Sequence, residues 1–461
     1  MLFQTLPFLI FFAVVYPVYL LVKGTRLRLP WMLVISYVFY AWLDWKYLIP
    51  LAYATIVDYL VTGRMVQSRR PRAWLALSIA SDLSVLGFFK YSRFFAENID
   101  VLLSWLGASF MVPIPGELLP GGMVGLSFFL LQSLGYTIDV YRGHAKRESN
   151  LLAYATFVSF FPRLLAGPIE RANHFLPQLH DSTRVTLRDF TDGLSIFVVG
   201  YFKKVALADY LALYVTNVYG APGQFQALAL LLATFLFAWQ IYFDFSGYTD
   251  MARGVARMMG IRLMRNFDNP YLAVSMGDFW KRWHISLSSW FRDYVYITLG
   301  GNRKGKFATY RNVFIAMVLS GLWHGAAWTF VLWGVIHALG NFATRELERT
   351  DFYVHKLPRI VKQLFVFVLV TFAWIFFRAH SIGDAGTILA RIFTSGSTNP
   401  AVPLWALALI GAVWCYQYLF ESRLRWFLEL AVVRVSIMIF MLAYMLLTVR
   451  AEGQPFIYMQ F

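Results

Sequence analysis

The sequence predicts an all-α, multi-pass integral membrane protein with about 11 spanning helices and additional re-entrant or interfacial helices. Of its 461 residues, 59% are hydrophobic and only 14% are charged, whereas soluble chains carry about 25% charged residues. The mean hydropathy is +0.56, and apolar segments of spanning length recur along the chain. We expect one membrane domain over residues 1–461, because no hydrophilic segment is long enough for a second folded domain.

The charged residues narrow the choice of partners. The chain has 41 Lys and Arg against 25 Asp and Glu, a formal charge of +16. Nucleic-acid binding is one interpretation, but basic cytoplasmic loops are favoured because the charges cluster beside apolar spans. The single cysteine, Cys415, allows neither an intrachain disulfide nor a cysteine-based metal site. We therefore expect contact with membrane lipids and no nucleic-acid partner.

The first spans indicate an orientation. Segment 2–22 has no preceding basic residue and no small-residue cleavage site, so we expect a retained span. Basic residues follow it at once, which places the N-terminus outside the cytoplasm. Segments 31–43 and 47–61 then form a hairpin around Asp44 and return to a second basic cluster. The same rule places the C-terminus outside.

Polar residues, proline and glycine interrupt the middle of the chain. Segment 124–140 contains Gln132, and such groups at membrane depth normally face a bundle interior. Proline and glycine around 160–170 predict a broken or re-entrant helix. Residues 170–192 form the longest polar loop, and lysines within 194–214 predict a kinked, tilted or partly interfacial helix.

The second half of the chain contains further spans. Segment 225–245 ends where Asp244 and Asp250 bracket a glycine-containing turn, and helix capping is the default role for both. Segment 313–339 would be roughly 40 Å long as one helix, with a bend at its glycines. Three more spans are predicted, at about 361–377, 404–419 and 435–449.

His324 lies in an apolar, tryptophan-rich stretch, and a titratable group at membrane depth suggests a functional site. Neutral imidazole can accept a proton from a hydroxyl near pH 7, and the glycines on either side allow close approach of a ligand. The alternative is a packing histidine bonded to a carbonyl, with Gly321 and Gly325 forming a small-residue helix contact. The residues alone leave both interpretations open.

Two other histidines have weaker arguments for a functional role. His284 follows Trp280 by four residues and precedes Ser288 by four, so on a helix the three would share one face. Taken alone, this segment is better explained as an aromatic belt with snorkelling basic residues. His337 would lie on the far side of a continuous helix from His324 and is predicted to be structural. The spacing of the histidines gives no zinc signal, and no metal site is expected.

The chain ends on an apolar hexapeptide, residues 456–461, which contains Tyr458. An interfacial anchor is the simpler role for this tyrosine. A phenol can also carry an acyl group as a covalent intermediate.

Together these segments resemble the membrane-bound O-acyltransferase family, in particular its bacterial branch that acetylates polysaccharides. The resemblance covers a core of about 121–340 and continues through the C-terminal spans and terminal motif at 361–461. The motifs that carry it are Gly125–Phe129, Phe160–Glu170, Asp244–Asp250, Asn266–Tyr271, Asp278–Ser288, Gly321–Trp328 and Trp333–His337.

The resemblance implies a ring of helices around a tunnel that passes an acyl group across the bacterial inner membrane. It implies that His324 is catalytic, that His284 is the second signature histidine and that Tyr458 relays the acyl group. The residues expected to line the tunnel or contact substrate are Trp280, Arg282, Trp283, Ser288, Trp323, Asp244 and Gln132.

The resemblance also implies the substrates and partners. We expect acetyl-CoA or another acyl thioester as donor, and no tightly bound cofactor. The acetyl group would pass to an extracytoplasmic SGNH-type acetyltransferase or another polysaccharide-modification protein, and then to an alginate-like or cellulose-like exopolysaccharide.

Other functions remain open at this point. D-alanyl transfer to teichoic-acid-like polymers resembles this chain more weakly, because that branch typically keeps the tyrosine motif on a separate small protein. A transporter or flippase for lipid-linked sugars would also use broken helices and buried polar groups. A non-catalytic scaffold of a polysaccharide export complex is a third alternative. Release of free thiol from acetyl-CoA, or an acetylated protein species, would distinguish the enzyme from both non-enzymatic alternatives.

Overall fold

The computed structural model describes residues 1–107, 112, 123–181, 185–397, 403–448 and 457. All regular secondary structure within these residues is helical, which confirms the predicted all-α class. Within them, four helical stretches are long and apolar enough to cross a membrane: Pro71–Trp105, Ala227–Met258, Arg359–Arg378 and Leu404–Glu421. Leu6–Val22 and Ala431–Leu447 are shorter apolar helices. The number of about 11 spans stays a prediction.

The described chain forms two compact units. The first comprises Met1–Ser195 and Ala252–Met264. Its helices are α1 Leu6–Val22, α2 Arg28–Ala41, α3 Leu48–Met65, α4 Pro71–Leu86, α5 Ser92–Trp105, α6 Leu126–Tyr141, α7 Leu151–Ser159, α8 Phe161–Leu164, α9 Ala172–His180 and most of α10 Leu187–Tyr201.

The second unit comprises Ile196–Met251 and the chain from Arg265 onward. Its helices are α11 Asp209–Gly220, α12 Ala227–Met258 (whose last residues belong to the first unit), α13 Met276–Arg282, α14 Ile285–Trp290, α15 Gly305–His324, α16 Trp328–Leu347, α17 Arg359–Arg378, α18 Ile382–Thr394, α19 Leu404–Glu421, α20 Arg425–Glu429 and α21 Ala431–Thr448. Short 3₁₀ segments are Trp45–Tyr47, Pro222–Gln224 and Pro270–Leu272, and π-helical segments are Gly87–Tyr91, Phe202–Ala208, Phe291–Tyr296 and Phe352–Lys356.

A buried polar cluster joins α3, α4, α6 and α7 in the first unit. Ser78 donates a hydrogen bond of 2.6 Å to one oxygen of Asp58, and Ser133 donates to the other. Ser133 also lies 2.7 Å from the Tyr154 hydroxyl. Because buried polar groups are costly unless they are hydrogen-bonded, this cluster favours one arrangement of the four helices.

The predicted break in the helix around residues 160–170 is confirmed. α7 ends at Ser159, Phe160 leaves the helical region at ψ 110°, and α8 begins with proline close to its N-terminus. Proline is tolerated there because the first turn of a helix has no partner for its N–H. The prediction of a polar loop over 170–192 is wrong in part, since it contains α9 and the start of α10.

α12 corrects a prediction about two carboxylates. No turn interrupts it near residue 247, so Asp244 and Asp250 lie within the helix and do not cap it. A Cβ atom on Gly247 would lie 2.7 Å from the carbonyl oxygen of Gly200 and 3.0 Å from the amide of Lys204. The glycine therefore allows close helix packing. Lys204 belongs to the π-helical segment Phe202–Ala208, which interrupts the α-helical run within the stretch that was predicted to be kinked, tilted or partly interfacial.

α15 and α16 correct a second prediction, that of one helix over 313–339. α15 ends at His324, and the chain is extended at Gly325 and Ala327 before α16 begins. The two helices pack against each other through glycine. A Cβ on Gly321 would overlap the carbonyl oxygen of Phe330. This part of the predicted small-residue contact is confirmed, but Gly325 lies outside the helix.

Candidate active site

One of the two predicted site histidines, His284, lies at a sharp turn between two short helices. His284 follows α13 and immediately precedes α14, with φ 43° and ψ 55°. It is one of two non-glycine residues with positive φ in the described chain, the other being Asn269. Because the helix stops at Arg282, the predicted shared face of Trp280, His284 and Ser288 does not form.

Asn266 holds this turn in place, and sequence reasoning gave it no role. Its backbone carbonyl accepts a hydrogen bond of 2.9 Å from the amide of Ile285. Its side-chain oxygen accepts one of 3.1 Å from the amide of Ser286. Two bonds from a residue that is itself buried fix the backbone beside His284, where an unusual φ needs support from its surroundings. The sequence feature that could have identified Asn266 is its position at the start of the Asn266–Tyr271 motif.

Aromatic rings enclose both histidines. The ring centroid of His284 lies 4.6 Å from Phe245 and 6.1 Å from Trp323. The ring of His324 lies 5.0 Å from the same Trp323 and 5.1 Å from Trp333. Trp323 therefore contacts both imidazoles, and the structure brings the two predicted histidines to one aromatic cluster. Both are buried.

His324 is positioned by the end of α15. As the last residue of α15, it precedes the extended Gly325, and its ring also packs 5.3 Å from Phe377 of α17. A Cβ at residue 325 would overlap the ring of Phe330. Glycine is thus required beside His324 for close packing of this turn.

His337 joins the cluster, contrary to the prediction that it lies on the far side from His324. Its ring centroid is 4.5 Å from Trp333 and 5.0 Å from Trp280. The break after His324 explains the difference, because the prediction assumed one continuous helix. His337 is fully buried, and neither of its ring nitrogens has a hydrogen-bond partner within the described residues. Its structural role stays a prediction.

A cavity of about 390 Å³ lies in the second unit, between α13, α14, α15 and α16. Trp280, Ser288 and Ser320 contribute to its wall. Its remaining polar lining includes the basic side chains of Lys281, Arg292 and Arg345. Two predicted lining residues, Trp280 and Ser288, are therefore found at a cavity, but neither His284 nor His324 lines it. The three basic residues were not predicted from the sequence.

Comparisons with known proteins decide the family. A family model described as "MBOAT, membrane-bound O-acyltransferase family" matches residues 141–382. The chain belongs to the membrane-bound O-acyltransferase family. It is accordingly a multi-pass membrane protein and an acyltransferase, as the resemblance implied.

Several curated relatives of this acyltransferase match most of its length. The probable alginate O-acetylase AlgI of Pseudomonas putida is 39% identical over 400 residues, which are 86% of this chain and 81% of the relative. The protein of the same name from Azotobacter vinelandii is 40% identical, over 86% of this chain and 79% of the relative. The peptidoglycan O-acetyltransferase of Helicobacter pylori is 34% identical, over 78% and 72% respectively.

Three residues of the acyltransferase that were predicted to line the tunnel or contact substrate do not line this cavity. Arg282 pairs with Asp278 at 2.9 Å and with Glu421 of α19 at 2.6 Å, so it fastens α13 to a neighbouring helix. Trp283 is buried beside Phe267, with 5.0 Å between the ring centroids. Neither contributes to the cavity wall. Trp323, in contrast, lies between the two histidines.

Gln132 lies in the first unit and supports a turn. Its amide nitrogen donates a bond of 2.6 Å to the backbone carbonyl of Glu170, and its amide oxygen accepts one of 2.9 Å from the Glu170 amide. The carboxylate of Glu170 accepts a hydrogen bond from His174, which raises the pKa of that imidazole. Gln132 therefore secures the Phe160–Glu170 motif. A role in substrate binding stays a prediction.

Asp244 is held inside the second unit by Lys204. The lysine ammonium lies 2.8 Å from one oxygen of Asp244 and 2.7 Å from Asp209. The other oxygen of Asp244 accepts a hydrogen bond from the amide of Ile457 at 2.6 Å. The cavity wall does not include Asp244. Tyr458 lies outside the described residues, so its predicted role stays a prediction.

Proposed function

We propose that this acyltransferase moves an acetyl group from a cytoplasmic thioester donor to a hydroxyl group, for O-acetylation of an exopolysaccharide. The chain's own support is His324, a buried imidazole at a helix break in the same cluster as His284. The names of its relatives, alginate O-acetylase and peptidoglycan O-acetyltransferase, support acetyl transfer to a bacterial polysaccharide. Because these relatives match most of this chain, the comparison applies to the whole membrane domain and not to one motif.

His324 supplies the base in this proposal. Its imidazole takes the proton of the attacking hydroxyl as the oxygen bonds to the acetyl carbonyl carbon. The carbon–sulfur bond then breaks, and the departing thiolate receives that proton, so the products are an acetyl ester and a free thiol. His284 positions or polarises the reacting groups. The aromatic cluster excludes water, which strengthens these interactions.

The cavity is a candidate site for the donor. Its volume of about 390 Å³ suits part of a small organic ligand. Lys281, Arg292 and Arg345 on its wall suit the phosphate groups of acetyl-CoA, because guanidinium and ammonium groups bind phosphate through charge-assisted hydrogen bonds. The acetyl thioester would lie at the Ser320 end, four residues before His324.

The acceptor path in this proposal runs through Tyr458. Its phenol oxygen would take the acetyl group first, and an extracytoplasmic SGNH-type acetyltransferase would pass it to the exopolysaccharide. Acetyl ester chemistry balances at each step, because one oxygen–acyl bond forms as another breaks.

The first prediction is that His324→Ala lowers polysaccharide acetylation by about 10²–10⁴-fold, the usual contribution of a general base. The measurement is ester acetate on the isolated polymer from cells that carry the variant. His337→Asn is the matched control, since it removes a second imidazole from the same cluster and should retain most of the activity. Full acetylation by a folded, membrane-inserted His324→Ala variant would contradict the mechanism.

A further inference from the structure

Lys204 is the centre of a buried charged cluster in the second unit. Its side chain is 2% exposed and contacts two carboxylates, Asp244 in α12 and Asp209 at the start of α11. Asp209 alone could neutralise this ammonium. Asp244 adds a second carboxylate, which is buried, and a buried carboxylate is unfavourable unless other groups bond to its oxygens. Asp244 therefore has capacity for a further hydrogen-bond donor.

The backbone amide of Ile457 is that donor. It bonds to Asp244 at 2.6 Å, and Ile457 is 3% exposed. The contact joins residues 213 positions apart in the sequence. Because the donor is a main-chain N–H, the carboxylate fixes the backbone at this position, and the bond is of the strong, charge-assisted kind.

The preceding helix approaches the same cluster. α21 packs against the π-helical segment Phe202–Ala208, which contains Lys204. The ring of Tyr444 in α21 lies 5.9 Å from that of Phe202. Two separate contacts therefore reach this cluster: α21 packs against Phe202–Ala208, and residue 457 bonds to Asp244.

We infer that Asp244 is a positioning residue whose carboxylate, held by Lys204, docks the backbone at Ile457, and we call this contact the dock. Residue 457 directly precedes Tyr458, so the dock fixes the backbone beside the proposed acetyl carrier. This role rests on the proposed function, whereas the docking contact itself does not. Asp244 was expected to line a tunnel, and that role stays a prediction; within the described residues its carboxylate contacts Lys204 and the amide of Ile457.

Hydrogen exchange of the full-length protein tests the dock. Overlapping C-terminal peptides, measured by mass spectrometry, report the exchange rate of the amide at residue 457. Asp244→Ala should accelerate it by about tenfold or more, the effect of losing a hydrogen bond to a charged group. Asp244→Asn should give a smaller increase, because its amide oxygen still accepts but carries no charge.

A matched control is Asp250→Asn. Asp250 lies on the same helix and pairs with Lys203 at 2.7 Å, in a more exposed position, and its removal should leave exchange at residue 457 unchanged. Wild-type exchange in a folded Asp244→Ala variant would overturn the inference. If that variant does not fold, wild-type exchange in Asp244→Asn overturns it, since Lys204 then keeps Asp209 as its partner.

Kinetics separate positioning from general stability. Asp244→Ala should lower kcat for acetylation of the polysaccharide, which requires repeated use of the acetyl carrier, while leaving KM for acetyl-CoA unchanged. An unchanged kcat overturns the positioning role, and so does a parallel change of KM and melting temperature. Exchange needs no transfer activity. Full activity of His324→Ala would therefore refute the proposed function and leave the dock intact. Unchanged exchange at residue 457 in the Asp244 variants would refute the dock and leave the proposed function intact.

Discussion

At the scale of single residues, His284 combines a side chain with a predicted catalytic role and a backbone conformation that few residues adopt. Its φ of 43° lies in the left-handed region, which asparagine and glycine enter more readily than alanine. The conformation is supported by Asn266 from both its carbonyl and its side chain. The backbone and the imidazole can therefore be tested separately by choosing the replacement.

The second prediction compares His284→Asn with His284→Ala. Both remove the imidazole, so both should lose acetyl transfer to a similar extent. The alanine variant should be less stable than the asparagine variant by about 1 kcal/mol, because alanine is strained at positive φ. Thermal unfolding in detergent measures the difference. Equal stability of the two variants would contradict the strain assigned to the turn, and unequal activity would contradict the role assigned to the imidazole.

The third prediction concerns Arg345 in the cavity wall. Arg345→Ala should raise KM for acetyl-CoA by about tenfold or more, the cost of losing a charge-assisted hydrogen bond to phosphate, with kcat little changed. Arg349→Ala is the control, because Arg349 pairs with the exposed Glu346 and does not line the cavity. An unchanged KM in the Arg345 variant would remove the cavity from the donor path.

The sequence pointed to several residues of the candidate site but not to the residues that support them. His324, His284 and Trp323 could be found because histidine and tryptophan are conspicuous in apolar surroundings. Asn266 and Lys204 act through contacts with residues far along the chain or with backbone amides, and no local pattern reports such contacts. Arg282 was conspicuous for the same reason as the histidines, yet it forms ion pairs between helices.

At the scale of elements, helix ends decide where the site residues lie. Apolar composition continues through 325–327, so hydropathy alone predicted one helix where the chain forms α15 and α16. The glycine near residue 247 suggested a turn, but it serves helix packing inside α12. In both cases glycine marked a special position, while its role depended on the atoms opposite it.

The fourth prediction tests the contact between α15 and α16. Gly321→Ala should lower the melting temperature and acetyl transfer together, because its Cβ would overlap the carbonyl oxygen of Phe330 and push the helices apart. Gly386→Ala in α18 is the control: no atom lies within 4 Å of a Cβ there, and alanine is favoured over glycine in helices by about 1 kcal/mol. A Gly321 variant as stable as the control would contradict the packing described.

At the scale of the whole molecule, the all-α membrane class followed from composition, because few charges and recurrent apolar segments leave little choice of environment. The number of spans did not follow, since short and interrupted helices such as α7 and α8 have no clear length signal. Family membership gives the class of chemistry. The second unit contains both signature histidines, the cavity and the dock of residue 457.

The central claim is that His324 enables acetyl transfer from a thioester to an oxygen of this protein. The most direct measurement incubates the purified chain with acetyl-CoA and follows both free thiol and acetylation of the C-terminal peptide by mass spectrometry. We expect the wild-type protein to release thiol and acetylate Tyr458, Tyr458→Phe to lose the acetylated peptide while still binding the donor, and His324→Ala to lose both products. Thiol release and peptide acetylation at wild-type rates by folded His324→Ala protein would contradict the account.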